Sequence, residues 1–369
     1  MLAASKLVRT LSTRVVPKAA PRMGRASAAV VGLVGGGCMV WFTVGASPAE
    51  SFSLPATKDD VDALRVDLAG KTNSAFVFIK PHACNEDVAK LVRATFRAAG
   101  IRITSESSLT AATIDRNMLI DNHYGAIAAK AVKLHPSELH VPAKVLAGFE
   151  KMFGETWEDA LAAGKVYNAK QACEKLGVDG EGLDALWAKT KRNVDCIKFG
   201  GGFYCAQIDG IYIMNGFYMS MRSQYCTPPA RIHTFTVQWP ADTLSWEDFR
   251  GRVLGATDPS EASKGSLRRR IYDDYKKLGL PGKPDTGLNG MHASASPFEA
   301  MAERINWCGA TVETDAFGKG LLAAGVDRAV IIQWTQDPQA TLDGKTGSLF
   351  DHFEDKDADV ILADAKRMV

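Results

Sequence analysis

Within six residues this chain places a lone histidine, a capping serine and a proline, and that run restricts its local structure more than any other. Ser296 suits a helix N-cap, Pro297 takes the first helical position, where a missing N–H costs nothing, and Glu299 completes an S-x-x-E capping box. Phe298, Met301, Ala302 and Ile305 recur at helical spacing, so that face packs inward. Ahead of the helix, Asn289-Gly290 reads as a turn and His292 lies in a short extended run. Glu303 follows His292 by 11 residues, two turns into the helix, where it can fold back to orient an imidazole. A histidine held by a carboxylate, with Ser294 two residues on, is the arrangement a nucleophilic histidine needs. The bland alternative is a buried histidine satisfied by a backbone carbonyl.

Upstream, Ser74–Ala83 reads as a buried strand running into Lys80 and stopped by Pro81, with His82 an exposed loop side chain. Asn85–Gly100 is an amphipathic helix with Val88, Leu91, Val92, Thr95 and Phe96 inward, and residues 101–105 form a second strand. Further on, residues 232–239 alternate strictly as a strand, and a short helix starts at Ser245.

These stretches resemble the nucleoside diphosphate kinases over residues 74–124 and 231–307. The family signature N-x-x-H-G-S-D-S, followed by a helix carrying a glutamate, is met by Asn289 to Ser296 with Glu303. Its F-x-x-I-K-P opening is met at Phe76–Pro81, its H-Y pair at His123-Tyr124, and its L-G-x-T-[ND]-P…G-[TS]-[IL]-R run at Leu254 to Arg268. Three departures stand out: Ala293 replaces a glycine that leaves room beside the histidine, Ala295 replaces an aspartate that helps fix the turn, and His82-Ala83 replaces D-G.

The resemblance implies an α/β (α+β) fold with a ferredoxin-like core split between residues 74–125 and 231–310. Residues 126–230 are then a mainly helical insertion and residues 311–369 a carboxy-terminal extension. It implies a phosphohistidine at His292 oriented by Glu303 and Ser294, with Lys80, Arg252, Thr257, Arg268 and Asn289 binding phosphates and Tyr124 bordering the nucleotide pocket. Both Arg250 and Arg252 flank the family's arginine position, and Arg252 is preferred. Nucleoside di- and triphosphates are the implied substrates, with Mg²⁺ carried on the nucleotide and no protein metal cage. The inventory is chemically coherent in itself: phosphoryl transfer needs positive charge around the equatorial oxygens and a placed nucleophile. A neutral imidazole serves near pH 7, its reference pKa being about 6.5. The competing reading is an accessory subunit of a membrane protein complex that keeps the fold without turnover. The 20 residues between Arg268 and Asn289, a longer loop than in the family, put its hexamer in question.

Composition places the rest. A chain of 369 residues, 46% hydrophobic and 23% charged, is globular. Its net charge of +2 comes from Lys6, Arg9, Arg14, Lys18, Arg22 and Arg25, since residues 1–49 hold no acid; the remainder is acidic and unsuited to nucleic acid. Residues 1–25 read as an organellar presequence, mitochondrial (inner membrane) or alternatively plastid. Residues 26–49 are uncharged and apolar enough for a membrane anchor or a second, cleaved targeting segment, and residues 50–73 form a linker. Seven cysteines without a C-x-x-C pair support neither a disulfide framework nor a zinc site. Near the end, Ala329–Trp334 reads as a strand and residues 349–357 as an acidic surface tail.

Overall fold

The computed structural model describes residues 32–34, 37–39 and 57–369, apart from positions 140, 142 and 201. Two compact units divide the chain, residues 1–65 and 66–369. In the first, β1 (Gly32–Val34) and β2 (Gly37–Met39) pair antiparallel. These six residues of the expected anchor are therefore extended rather than helical; the rest of residues 26–49, and the presequence 1–25, lie outside the described residues. Among the described residues no helix is long and apolar enough to cross a membrane.

The larger unit is mixed α/β. Its centre is β3 (Thr72–Ile79), followed by α1 (Glu86–Ala98) and β4 (Arg102–Thr110). The chain returns to this sheet as β9 (Arg231–Pro240) and β10 (Met291–Ala293). All pairings are antiparallel and the order is β10-β3-β9-β4, the four-one-three-two arrangement of a ferredoxin-like core. β3 is buried on both faces, which is why its apolar run is continuous. Ala75, Val77 and Ile79 point to one side, against Val88, Val92 and Phe96 of α1 and Leu267 and Ile271 of the helix Leu267–Asp273. Phe76 and Phe78 point to the other, against Ile114, Leu119, Ile120, Tyr225 and Trp307.

Between β4 and β9 the insertion carries helices and also a second sheet, ordered β5-β8-β7-β6 from β5 (Val166–Asn168), β6 (Cys196–Gly200), β7 (Phe203–Ile208) and β8 (Ile211–Met214). Its last helix, Tyr218–Cys226, packs back on the helix Leu119–His123: Arg222 Nε bonds Asp121 Oδ1 at 3.0 Å and the Tyr218 hydroxyl donates to the same oxygen at 2.9 Å. Asp121 is fully buried, so these donors keep its charge tolerable.

The signature helix, α2 (Pro297–Cys308), starts as expected, with Ser296 Oγ accepting from the Glu299 N–H at 3.1 Å. Glu299 reaches past the N-cap to the Ala295 N–H instead of closing the box. One face of α2 meets the carboxy-terminal extension. Phe298 and Met301 pack with Phe317, Leu321, Ile331, Leu349, Phe353 and Ile361. Two expectations are corrected here. Residues 328–334 are a helix, because Asp327 caps it and Ile331 and Trp334 bury at a spacing of three. The segment read as a surface tail buries Leu349 and Phe353 completely.

Arg304 on α2 is paired with Asp315 at 2.7 Å, their side chains 7% and 5% exposed, and its Nη1 donates to the Ser74 carbonyl at 2.9 Å. Removing one partner strands a buried charge, so Asp315→Ala should lower the unfolding free energy in urea by about 3–5 kcal/mol. A loss below about 1 kcal/mol would mean that the pair behaves as a solvated surface bridge.

Candidate functional site

Register brings the site together. His292 on β10 lies opposite Phe78 on β3, so both side chains share a face, and their rings stack at 4.7 Å. Gly290, at φ +84°, turns the chain into β10; a Cβ there would meet Ile271 at 3.0 Å. Below the histidine α2 presents Glu303, 5% exposed. His292 Nε2 is 2.5 Å from Glu303 Oε1, and Ser294 Oγ bonds Glu303 Oε2. The Ser294 hydroxyl also lies 3.0 Å from the Phe76 carbonyl, but it has one proton to give and the carboxylate of Glu303 is the stronger acceptor. Burial alone would raise the Glu303 pKa; His292, His123 and Ser294 outweigh it and hold the carboxyl below its ordinary value. A charged Glu303 fixes the tautomer: Nε2 of His292 carries the proton and Nδ1 keeps its lone pair.

His123, which the sequence reading passed over in favour of its neighbour, joins this cluster. Its Nδ1 stands 3.3 Å from Glu303 Oε1 and its ring meets His292 edge-on at 4.7 Å. Burial, reinforced by His292, lowers its pKa to about 4, so it stands beside Glu303 as a neutral ring. Tyr124 packs on His123 at 5.0 Å and shares a hydrogen bond with Tyr225. It does not line the cleft described next.

That cleft, about 460 Å³, is lined by His292, Arg250, Gly255, Thr257, Arg268, Glu299, Glu354 and Asp355 among others. Arg268 donates to the Gly255 carbonyl at 2.9 Å and the Met291 carbonyl at 3.0 Å, while its buried Nε has no partner. Burial, then Arg250, lowers its pKa to about 10. Lys80 donates to the Gly287 carbonyl at 3.1 Å; burial and Arg268 bring its pKa to about 8. Asn289 Nδ2 donates to the Thr257 carbonyl at 3.1 Å, leaving the buried Oδ1 without a partner. His292, Glu303, Ser294, Thr257, Arg268, Asn289 and Lys80 thus gather around one region.

Arg252 does not join them. Its side chain is 77% exposed and paired with Asp248 at 3.0 Å, whereas Arg250 enters the cleft. Two positions apart on the π-helical turn Phe249–Leu254, the arginines point to nearly opposite sides, and the phase that buries Phe249 and Val253 leaves Arg252 in solvent on Asp248 and Arg250 against Glu354 and Asp355. His82 also differs from expectation. It is half-buried, and its Nε2 accepts the Gly290 N–H at 3.0 Å, bracing the turn into β10. Burial and Lys80 lower its pKa to about 4.

From pH 6.5 down to 4 an unfolded chain takes a proton on His82 that the folded chain refuses, so stability present above 6.5 is lost over that window at ~1.4 kcal/mol per pH unit. Urea unfolding of His82→Gln, which keeps an acceptor for Gly290, should show a flatter pH dependence than wild type by up to that slope. Parallel curves would show that His82 protonates without cost in the fold.

No protein-family model and no curated protein matches the sequence. Among solved structures, the chain is similar to an NDP kinase from Pyrobaculum aerophilum at 16% identity and TM-score 0.33, over 64% of this chain and 95% of that one. It is similar to the nucleoside diphosphate kinase of Encephalitozoon cuniculi at 14% identity and TM-score 0.31, over 66% and 92%. A Borrelia burgdorferi nucleoside diphosphate kinase with bound vanadate and ADP aligns at 14% identity and TM-score 0.30, over 64% and 87%.

Proposed function

We propose that this protein transfers a terminal phosphoryl group from a nucleoside triphosphate to a nucleoside diphosphate through His292. The observation that carries the reading is the fixed imidazole: Glu303 accepts the hydrogen bond from Nε2–H, which leaves an unprotonated Nδ1 on a ring that lines a cleft with Arg250, Arg268 and Thr257. In the first half-reaction Nδ1 attacks the terminal phosphorus in line. The new N–P bond forms as the bond to the bridging oxygen breaks, and the diphosphate leaves with that oxygen's electrons. The positive charge then on the imidazole ring is stabilised by Glu303 across the Nε2–H bond. In the second, a terminal oxygen of another diphosphate attacks the same phosphorus and Nδ1 departs as a neutral nitrogen. Arg268, with Nε unpartnered, Arg250 and Lys80 supply the cationic surroundings that phosphoryl oxygens require.

The donor cluster with metal-ligand spacing among the described residues, His123–His292–Glu303, is rich in nitrogen and unlike the oxygen ligands Mg²⁺ prefers. Mg²⁺ therefore belongs on the nucleotide phosphates, where it supplies charge neutralisation as part of the substrate. The rival reading, an accessory subunit without turnover, draws on Ala293 and Ala295 beside the nucleophile and on two carboxylates, Glu354 and Asp355, inside the cleft. A mitochondrial address is part of the proposal and rests on the basic, acid-free composition of residues 1–25.

Incubation with γ-labelled nucleoside triphosphate should give an acid-labile label that His292→Ala abolishes. Glu303→Gln should slow labelling without ending it, because Glu303 orients the ring and does not bond phosphate. Looser placement beside Ala293 and Ala295 costs on the order of 100-fold in rate, part of which Ala293→Gly with Ala295→Asp should restore. Equal label on wild type and His292→Ala, or none on either, would favour the accessory-subunit reading.

A further inference from the structure

The carboxy-terminal extension does not stop at covering α2; it enters the cleft. Phe353, fully buried, and Ala358, fully buried, anchor a four-residue strap at its two ends. Within it the Asp355 N–H donates to the Ala295 carbonyl at 3.0 Å. Asp357 bonds the Asn73 side chain and the Trp246 N–H, each at 2.7 Å. Asp355 takes φ +61°, a conformation disfavoured for an L-residue, so the backbone is held there by these contacts. The strap thus delivers two carboxylates to one guanidinium: Arg250 Nη1 lies 2.7 Å from Glu354 Oε1 and 2.7 Å from Asp355 Oδ1. Arg250 is 27% exposed while the two acids are 46% and 44% exposed, so the acids sit at the mouth and the cation behind them.

We propose that Glu354 and Asp355 are an internal anion that competes with phosphoryl ligands for Arg250 and keeps the cleft closed to them until the two side chains swing out. This rests on the reading of the cleft as a phosphoryl site. Two features give it content. First, Ala295, where the resemblance would place an aspartate, is the residue onto whose carbonyl the strap docks; the carboxylates on Arg250 come from a segment some sixty residues later in the chain. Second, Glu247 is also on its wall, so three carboxylates face two guanidiniums and an arriving polyphosphate meets like charge unless the acids move; Glu299 adds none, since burial and then Glu303 raise its pKa to about 8. Anchoring at both ends leaves side-chain rotation as the opening motion, at the cost of a surface bridge rather than of a loop.

The test measures binding of inorganic pyrophosphate by calorimetry, with and without Mg²⁺, so that it does not depend on His292 chemistry. Without Mg²⁺, Glu354→Gln with Asp355→Asn should bind at least about tenfold more tightly than wild type, in line with the removal of like charge from the mouth. Adding Arg250→Ala to that variant should erase the gain. Both acids are half-exposed and the replacements are nearly isosteric, and a thermal melt on each variant confirms the fold. Unchanged or absent binding by the double variant overturns the proposal. So does weaker binding of Mg²⁺-pyrophosphate by it than by wild type, which would make the acids cation ligands. The phosphotransfer reading is scored separately: a protein that binds pyrophosphate but never labels His292 fails that reading alone.

Discussion

A charged carboxylate shut inside the protein dictates the architecture around His292. Stranding Glu303 without donors would cost several kcal/mol; Ser294 and His292 prevent that, and the neutral His123 ring packs beside them. Three constraints bring these groups together. Ser294 and His292 need β10 in its observed register with β3, since a slip of one residue would turn both to the opposite face. Glu303 needs α2 to begin at Ser296, because its phase follows from the cap. His123 needs the helix Leu119–His123 pressed against the Phe76–Phe78 face. The tautomer of His292 is thus set by the packing of three separate elements.

The regions outside the core sheet act on that centre through recognisable contacts. The insertion reaches it from the His123 side, where Arg222 and Tyr218 clamp the buried Asp121 two residues before His123. The extension reaches it from the cleft side, through the strap over Ala295 and the packing of Phe298 on Phe353. A sheet with one face on α1 and the other on Ile114, Ile120, Tyr225 and Trp307 leaves little of β3 free to adjust.

Much of the core could be read in the residues because the signals were local. The cap at Ser296, the alternation of residues 232–239 and the burial of Val88, Val92 and Phe96 each depend on neighbours within a few positions. What escaped the reading depended on distant partners. His82 looks like a loop residue until Gly290, 208 positions later, donates to it. Arg250 and Arg252 are indistinguishable in composition; a π-helical turn separates them, and short stretches carry no periodicity that betrays such a turn. Ala329–Trp334 is too short and apolar for strand and helix to be told apart, and the decision fell to Asp327 and to burial against the extension. An acidic run such as Glu354–Asp357 looks solvated because charge reports affinity for water, not the guanidinium waiting in the fold.

The placement of β3 has a consequence for biosynthesis. The strand is made early, yet its closing hydrogen bonds lie far ahead: Phe76 bonds Ser294 across 218 residues and Asn73 bonds the Ala358 N–H across 285. Closing loops of that length is entropically slow, and a two-faced apolar strand waiting for partners is prone to association. The clusters of the insertion, by contrast, draw only on residues 118–221 and 139–214. On the ribosome the insertion can therefore consolidate first, and the ferredoxin-like sheet assembles around it only when the last residues emerge. A translation pause or truncation near the carboxyl terminus would release a chain with a finished insertion and an unfinished His292 cluster.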